Sequence, residues 1–269
     1  MTHPIPGYLL PDILIGTVAV VAVALFGLHR ALSRAGLPVR DRRQAFWGIS
    51  ALLVAWFFGA LILSWAGFYH VAGSRIPTVP FGLMIPIAAG IALFWRWPLL
   101  RRTIEAVPQS WLVSVQVYRA EGLIFLTLFA AGLLPGAFAL PAGLGDMAVG
   151  LLAPLVGIAY ATGSRGSSGW VRAWNLLGMA DLVVAVTTGF LTSPSPLQLL
   201  ALDHPNELIS SFPLVMIPVF LVPLSVLLHM ASLQKLRQIE REKRELRPAP
   251  AGGARSTRRP EGAVQSRLG

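Results

Sequence analysis

Residues 45–66 read AFWGISALLVAWFFGALILSWA, a run without one ionisable side chain, bounded by Asp41, Arg42 and Arg43 before it and Arg75 after it. At about 1.5 Å per helical residue such a run crosses a hydrocarbon core of roughly 30 Å. Lipid offers no partner to a free peptide group, so the run has to be helical. Six further runs of this kind follow the same rule, and together the seven cover Asp12 to His29, Ala45 to Ala66, Val79 to Trp97, Trp111 to Leu134, Ala142 to Thr162, Trp170 to Thr192 and Phe212 to Ser232. The expected fold is an all-α integral membrane protein, a seven-transmembrane helix bundle.

The composition agrees. Of 269 residues, 55% are hydrophobic and 13% charged, and the mean hydropathy is +0.65, more apolar than a soluble domain of this length sustains. The net charge of +10 is gathered into short connections and the C-terminal end, a pattern of membrane surfaces and not of a nucleic-acid-binding face. With no cysteine, disulfides, thiolate metal sites and cysteine nucleophiles are excluded. Only two of the 22 basic residues are lysine, which together with the Ala, Gly and Leu content points to a GC-rich bacterial genome and an inner (plasma) membrane location. Met1 to Pro11 carries no Lys or Arg, unlike the basic start of a secretory signal, so the first run is expected to be a retained helix.

Orientation follows from the basic residues of the connections, which concentrate on the cytoplasmic side. The first connection carries Arg30, Arg34, Arg40, Arg42 and Arg43, the third Arg101 and Arg102 beside Arg96, and the fifth Arg165. The second carries Arg75 alone, and the fourth and sixth none. This alternation places the N-terminus outside and the C-terminus in the cytoplasm. Trp47, Trp95, Trp97, Trp111, Trp170 and Trp174 then fall at cytoplasmic helix ends and Trp65 at an outer end, as interfacial belts require. Pro141 and Pro213 read as helix entries, and Pro86, Pro154, Pro218 and Pro223 as kinks.

Three segments are expected by organisation: a transmembrane domain over 1–232, a basic cytoplasmic extension of the last helix over 233–248, and a disordered tail over 249–269 too poor in apolar residues to form a core. In the extension, Lys235, Arg237, Arg241, Lys243 and Arg244 alternate with Glu240, Glu242 and Glu245, which suits anionic lipid at the membrane surface. Between Ser193 and Ser211 the leucines at 197, 199, 200 and 202 after a Ser-Pro start predict a short helix lying in the outer interface.

Charges inside spanning runs are costly, and each is a functional candidate. Arg119 and Glu121 lie in the fourth run, Asp146 in the fifth and Asp181 in the sixth, with Gln116 and Asn175 as polar companions. Counted along the helices, Arg119, Glu121 and Asp181 share a depth, whereas Asp146 lies nearer the outer end, above the cluster or capping its helix. Asp146, Gly150, Ala153 and Gly157 form one small-residue stripe and Gly178, Asp181, Ala185 and Thr188 another, so both aspartates face protein. Arg119 shares its face with Gly122.

Two uses of this cluster stand side by side. Three acids around one Arg leave excess negative charge that can exchange protons or hold a cation, as in a small-solute or ion-coupled transporter. Alternatively, the charges only fix helix register, as in a non-catalytic sensor or assembly subunit. An enzyme ranks below both, since no clustered nucleophile, metal motif or phosphate loop is present. Gly143, Gly145 and Asp146 lack the preceding strand that a nucleotide loop needs. No cofactor is called for. His29 and His229 at the inner ends of the first and last runs are weak haem candidates, and His70, Asp203, His204 and Glu207 a weak metal set. The seven-helix layout resembles that of rhodopsins in architecture alone, because Lys235 and Lys243, the two lysines, lie beyond the last run and no mid-helix amine exists for a retinal Schiff base.

Overall fold

The computed structural model describes residues 6–70 and 77–245. Seven helical segments are long and apolar enough to cross a membrane: Leu9–Arg34, Val39–Trp65, Val79–Arg96, Gln109–Ala130, Gly136–Ala161, Ser167–Thr192 and Ile217–Glu245. They match the seven apolar runs one for one, and the chain has the make-up of a multi-pass membrane protein. The expected tail and the Arg75 position lie outside the described residues, as do 246–248 of the basic extension.

The helices are α1 (Leu9–Arg34), α2 (Val39–Trp65), α3 (Val79–Arg96), α4 (Pro98–Ala106), α5 (Gln109–Ser114), α6 (Leu123–Ala130), α7 (Gly136–Ala161), α8 (Ser167–Thr192) and α9 (Val222–Glu245). Prolines start several of them. Pro38, Pro108 and Pro135 immediately precede α2, α5 and α7, and Pro98 opens α4, where the missing N–H is no loss. The ends of α6 and α7 are closed by Gly132 and Gly163 at φ of 68° and 69°. At the first, Gly132 N–H donates to Phe129 O at 2.9 Å and Leu133 N–H to Leu128 O at 2.8 Å, a doubly bonded stop that needs a left-handed residue.

Two spanning segments depart from α geometry. Between α5 and α6, Val115–Gly122 is a 3-10 helix, and ahead of α9, Ile217–Leu221 is a π turn. Three residues per turn stack Gln116, Arg119 and Gly122 on one edge of the 3-10 stretch, and all three are buried. Pro218 and Pro223 bring no N–H to the other site, which is where an expected bend meets a widened turn.

The main core runs along the half of the bundle that holds the start of α1. There Phe57, Phe125, Leu128, Phe138, Leu214 and Phe220 pack together. Trp56 lies against the Phe220 ring at 4.7 Å between centroids, which explains a mid-helix tryptophan. At the other end a smaller cluster joins Val113, Val149, Trp174 and Leu236. It draws α9 beyond Ser232 into the bundle, and an Arg172–Glu240 ion pair at 2.5 Å braces the same region.

Four local expectations need correction. Pro141 lies inside α7, which begins at Gly136, because Pro135 takes the entry position. Trp174 is buried, with its indole N–H donating to Val149 O at 3.0 Å, whereas Trp47, Trp65, Trp95 and Trp170 are exposed. The segment after α8 forms no helix over the leucines. Pro194, Pro196 and Pro205 interrupt it, and the fully buried Asn206 instead ties it down by backbone and side-chain bonds to Thr192. Residues 98–106, taken as plain connection, form the amphipathic α4 because Leu100 and Ile104, one turn apart, find an apolar cavity to face.

Candidate functional site

The 3-10 edge delivers Arg119 to the centre of the bundle, where it is 3% exposed. A guanidinium has five N–H donors and accepts nothing, so a buried one must be surrounded by acceptors. Arg119 finds four. Its Nε donates to Asp146 Oδ1 at 2.7 Å, its Nη2 to Asp181 Oδ2, and its Nη1 to Gly178 O at 3.3 Å and to His229 Nε2 at 3.1 Å. Since Arg119 only donates, His229 Nε2 accepts, which leaves the ring proton on Nδ1. That atom lies 2.9 Å from Asn175 Oδ1. The Asn175 amide donates in turn to Val171 O at 2.7 Å and Ser232 Oγ at 2.9 Å. Gln109 Nε2, at the start of α5, also donates to Ser232 Oγ at 2.7 Å.

A polar string thus runs from Gln109 through Ser232, Asn175 and His229 to Arg119 and its two carboxylates. The histidine is neutral by its bonding, so the centre holds one cation against two anions when both aspartates are ionised. Of the two acids expected at the depth of Arg119, Asp181 is its ionic partner, and Asp146, expected to sit above the cluster or cap its helix, is the second. The correction follows from the start of α7: with the helix beginning at Gly136, Asp146 sits ten residues in.

Glycines make this geometry possible. A Cβ on Gly122 would strike Asp146, one on Gly145 the Asp181 carboxylate, one on Gly150 the Ala120 backbone, and one on Gly178 the His229 ring. Helices approach closely wherever the side chain is a hydrogen.

Other candidates lie elsewhere. Glu121 is not in the cluster; its carboxylate rests against Gly16 of α1, a turn from Asp12. Gln116 is fully buried on the same edge as Arg119, with neither amide atom hydrogen-bonded to protein. His29 is exposed and edge-on to Phe46, while both ring nitrogens of His229 are engaged, so the two histidines do not form a haem pair. His70 bonds Ser211 at 3.1 Å, and Asp203, His204 and Glu207 are exposed; among the described residues no three such groups gather as a metal site. His229 does not sit at a helix end: the apolar run stops at Ser232, but α9 continues to Glu245 and His229 is fully buried.

A cavity of about 90 Å³ reaches Asp146 from the half of the bundle that holds the start of α3. Phe125, Phe138, Val186, Ile217, Ser193 and Ser210 are among its walls, and Asp146 is the one ionisable residue lining it. It therefore combines apolar walls with a charged floor.

A family model described as Domain of unknown function (DUF8737) matches residues 76–237. The chain belongs to that family. The family segment takes in α3 through most of α9, so Arg119, Asp146, Asn175, Asp181 and His229 all fall within it, whereas α1 and α2 precede it. No curated protein and no solved structure matches the chain.

Proposed function

We propose that the protein is an ion-coupled carrier of a small solute, with Asp146 and Asp181 as the proton or cation site and Arg119 as their counter-charge. The observation that carries this reading is Asp146, a carboxylate lining an otherwise apolar cavity, which shares one buried guanidinium with Asp181. The excess negative charge calls for a proton or a small cation from whatever the cavity admits. The 3-10 stretch that holds Arg119 supports it too, since interrupted helices at mid-membrane are where carriers bind ions and solutes.

The same reading places the N-terminus and the mouth of the cavity outside a bacterial inner membrane, and the basic connections inside. In the extension of α9, Arg237, Arg241, Lys243 and Arg244 are left to engage anionic lipid, since Lys235 donates to the backbone carbonyls of Glu105 and Val107.

A second reading has its own support. Arg119, His229 and Asn175 saturate one another, as expected of a lock that only sets helix register in a sensor or assembly subunit.

The absence of native cysteine makes single-cysteine labelling a direct test. In intact cells a membrane-impermeant maleimide should label Ser195→Cys, and Ala185→Cys on the cavity wall, while Ser164→Cys should label only after permeabilisation. Reversed labelling of Ser195 and Ser164 would overturn the orientation. An Ala185→Cys that is inert from both sides would remove the aqueous approach to Asp146 and leave the lock.

A further inference from the structure

A second cavity, about 460 Å³, lies between α2, α3, α4 and α9. None of the Arg119 cluster lines it. Its wall is almost entirely hydrocarbon, from Trp56 and Pro86 at mid-bundle to Trp95, Leu100 and Ile104 near the basic connections, with Gln234 the one polar side chain. Leu52, Ile85 and Trp95 on its edge are exposed, so it opens sideways, toward where lipid would be. Water would find too few partners inside to be held there, and an empty space of this size forfeits packing along its whole wall.

The rim near the basic connections has a different chemistry. The amphipathic α4 turns Leu100 and Ile104 into the cavity and leaves Arg101 and Arg102 exposed, and Arg96 follows the lining residue Trp95. Among the described residues none of these three arginines makes an ion pair. Arg96 and Arg101 thus stand without an ion pair on the residues next to the lining Trp95 and Leu100, while Arg102, two residues from both Leu100 and Ile104, lies on the opposite face of α4. Guanidinium grips phosphate with two parallel hydrogen bonds, and a lipid chain is the occupant a bilayer supplies to a hydrocarbon slot.

We propose that this cavity binds one anionic phospholipid, an acyl chain lying between α3 and α9 and the phosphate held by Arg96 and Arg101. The site is independent of the transport reading and stands or falls separately. It also gives α4 a purpose, as the hinge piece between headgroup and chain.

The experiment uses the full-length protein in neutral detergent, with phosphatidylglycerol or phosphatidylcholine added and the unfolding temperature and retained lipid measured, the latter by native mass spectrometry. Phosphatidylglycerol should raise the unfolding temperature clearly more than phosphatidylcholine and remain bound as one molecule. Combined Arg96→Gln and Arg101→Gln should erase that difference without lowering the unfolding temperature in detergent alone, and Arg102→Gln on the far face of α4 should leave it. Ala89→Phe, which fills the slot, should abolish retention of either lipid. Should Ala89→Phe not fold, the surface arginine variant still decides. Equal stabilisation of the unaltered protein by the two lipids, or an undiminished phosphatidylglycerol preference in the Arg96→Gln, Arg101→Gln variant, would overturn the proposal.

Discussion

Replacing both Asp146 and Asp181 by Asn should destabilise the protein far more than the two single replacements added together. Arg119 holds two carboxylates, so either single change leaves a neutral pair at the centre, with Asn still able to accept a hydrogen bond. The double change leaves a guanidinium with no counter-charge, and a guanidinium does not shed its proton. Breaking a buried pair costs about 3–5 kcal/mol, and that figure applies to the double variant, with each single variant costing a fraction of it. Arg119→Leu should fall between, because the two acids it abandons can each be neutralised by a proton. Thermal unfolding in detergent, with expression level as a second readout, checks the order. Equal losses from each aspartate that simply add would mean the two do not share the arginine.

That order was only partly legible in the sequence. Seven apolar runs, each near the length of a bilayer crossing, predicted the seven spanning helices, and the rarity of charge within them singled out Arg119, Asp146 and Asp181. Periodicity placed both aspartates on glycine-rich faces, which is where they lie. Depth was harder. Pro141 was read as a helix entry when Pro135 holds that role, and the misplaced start displaced Asp146 from the arginine it binds. Glu121 shares a depth with Arg119, but two residues turn the 3-10 helix by roughly 240°, which directs it to α1. His229 was set at a helix end because hydropathy falls after Ser232, while the amphipathic helix runs on with Leu236 buried. The 3-10 stretch has no proline or other local signal in VQVYRAEG. Its shape follows from the partners it meets, the backbone contact between Ala120 and Gly150 above all.

That contact sets the second large effect. Gly150→Val should abolish stable folding, because its Cβ would fall on the Ala120 main chain and neither backbone can yield without opening the α7 contact. Overpacking of a well-filled interior costs about 1–3 kcal/mol where side chains can shift, and a backbone obstacle belongs at the top of that range or above it. Gly59→Ala is the matched control: nothing lies within 4 Å of its Cβ position, it sits inside α2, and alanine should be neutral or stabilise by up to about 1 kcal/mol. A Gly150→Val protein that unfolds at the same temperature as Gly59→Ala would contradict the close approach of α7 to the 3-10 stretch.

The closeness of that approach bears on function. Arg119 is held in place by backbones, not by flexible loops, so its two carboxylates change charge only if a proton or cation reaches them. Whether one does is measurable without knowing the solute, by adsorbing reconstituted liposomes to a capacitive electrode and jumping the pH or the cation concentration. An ion-coupled site predicts a transient charge movement in the unaltered protein, reduced in Asp146→Asn and in Asp181→Asn, both of which keep a neutral pair and should fold. No charge movement in the unaltered protein under either jump, or one of the same size in both variants, would contradict the carrier account and leave the cluster as a structural lock.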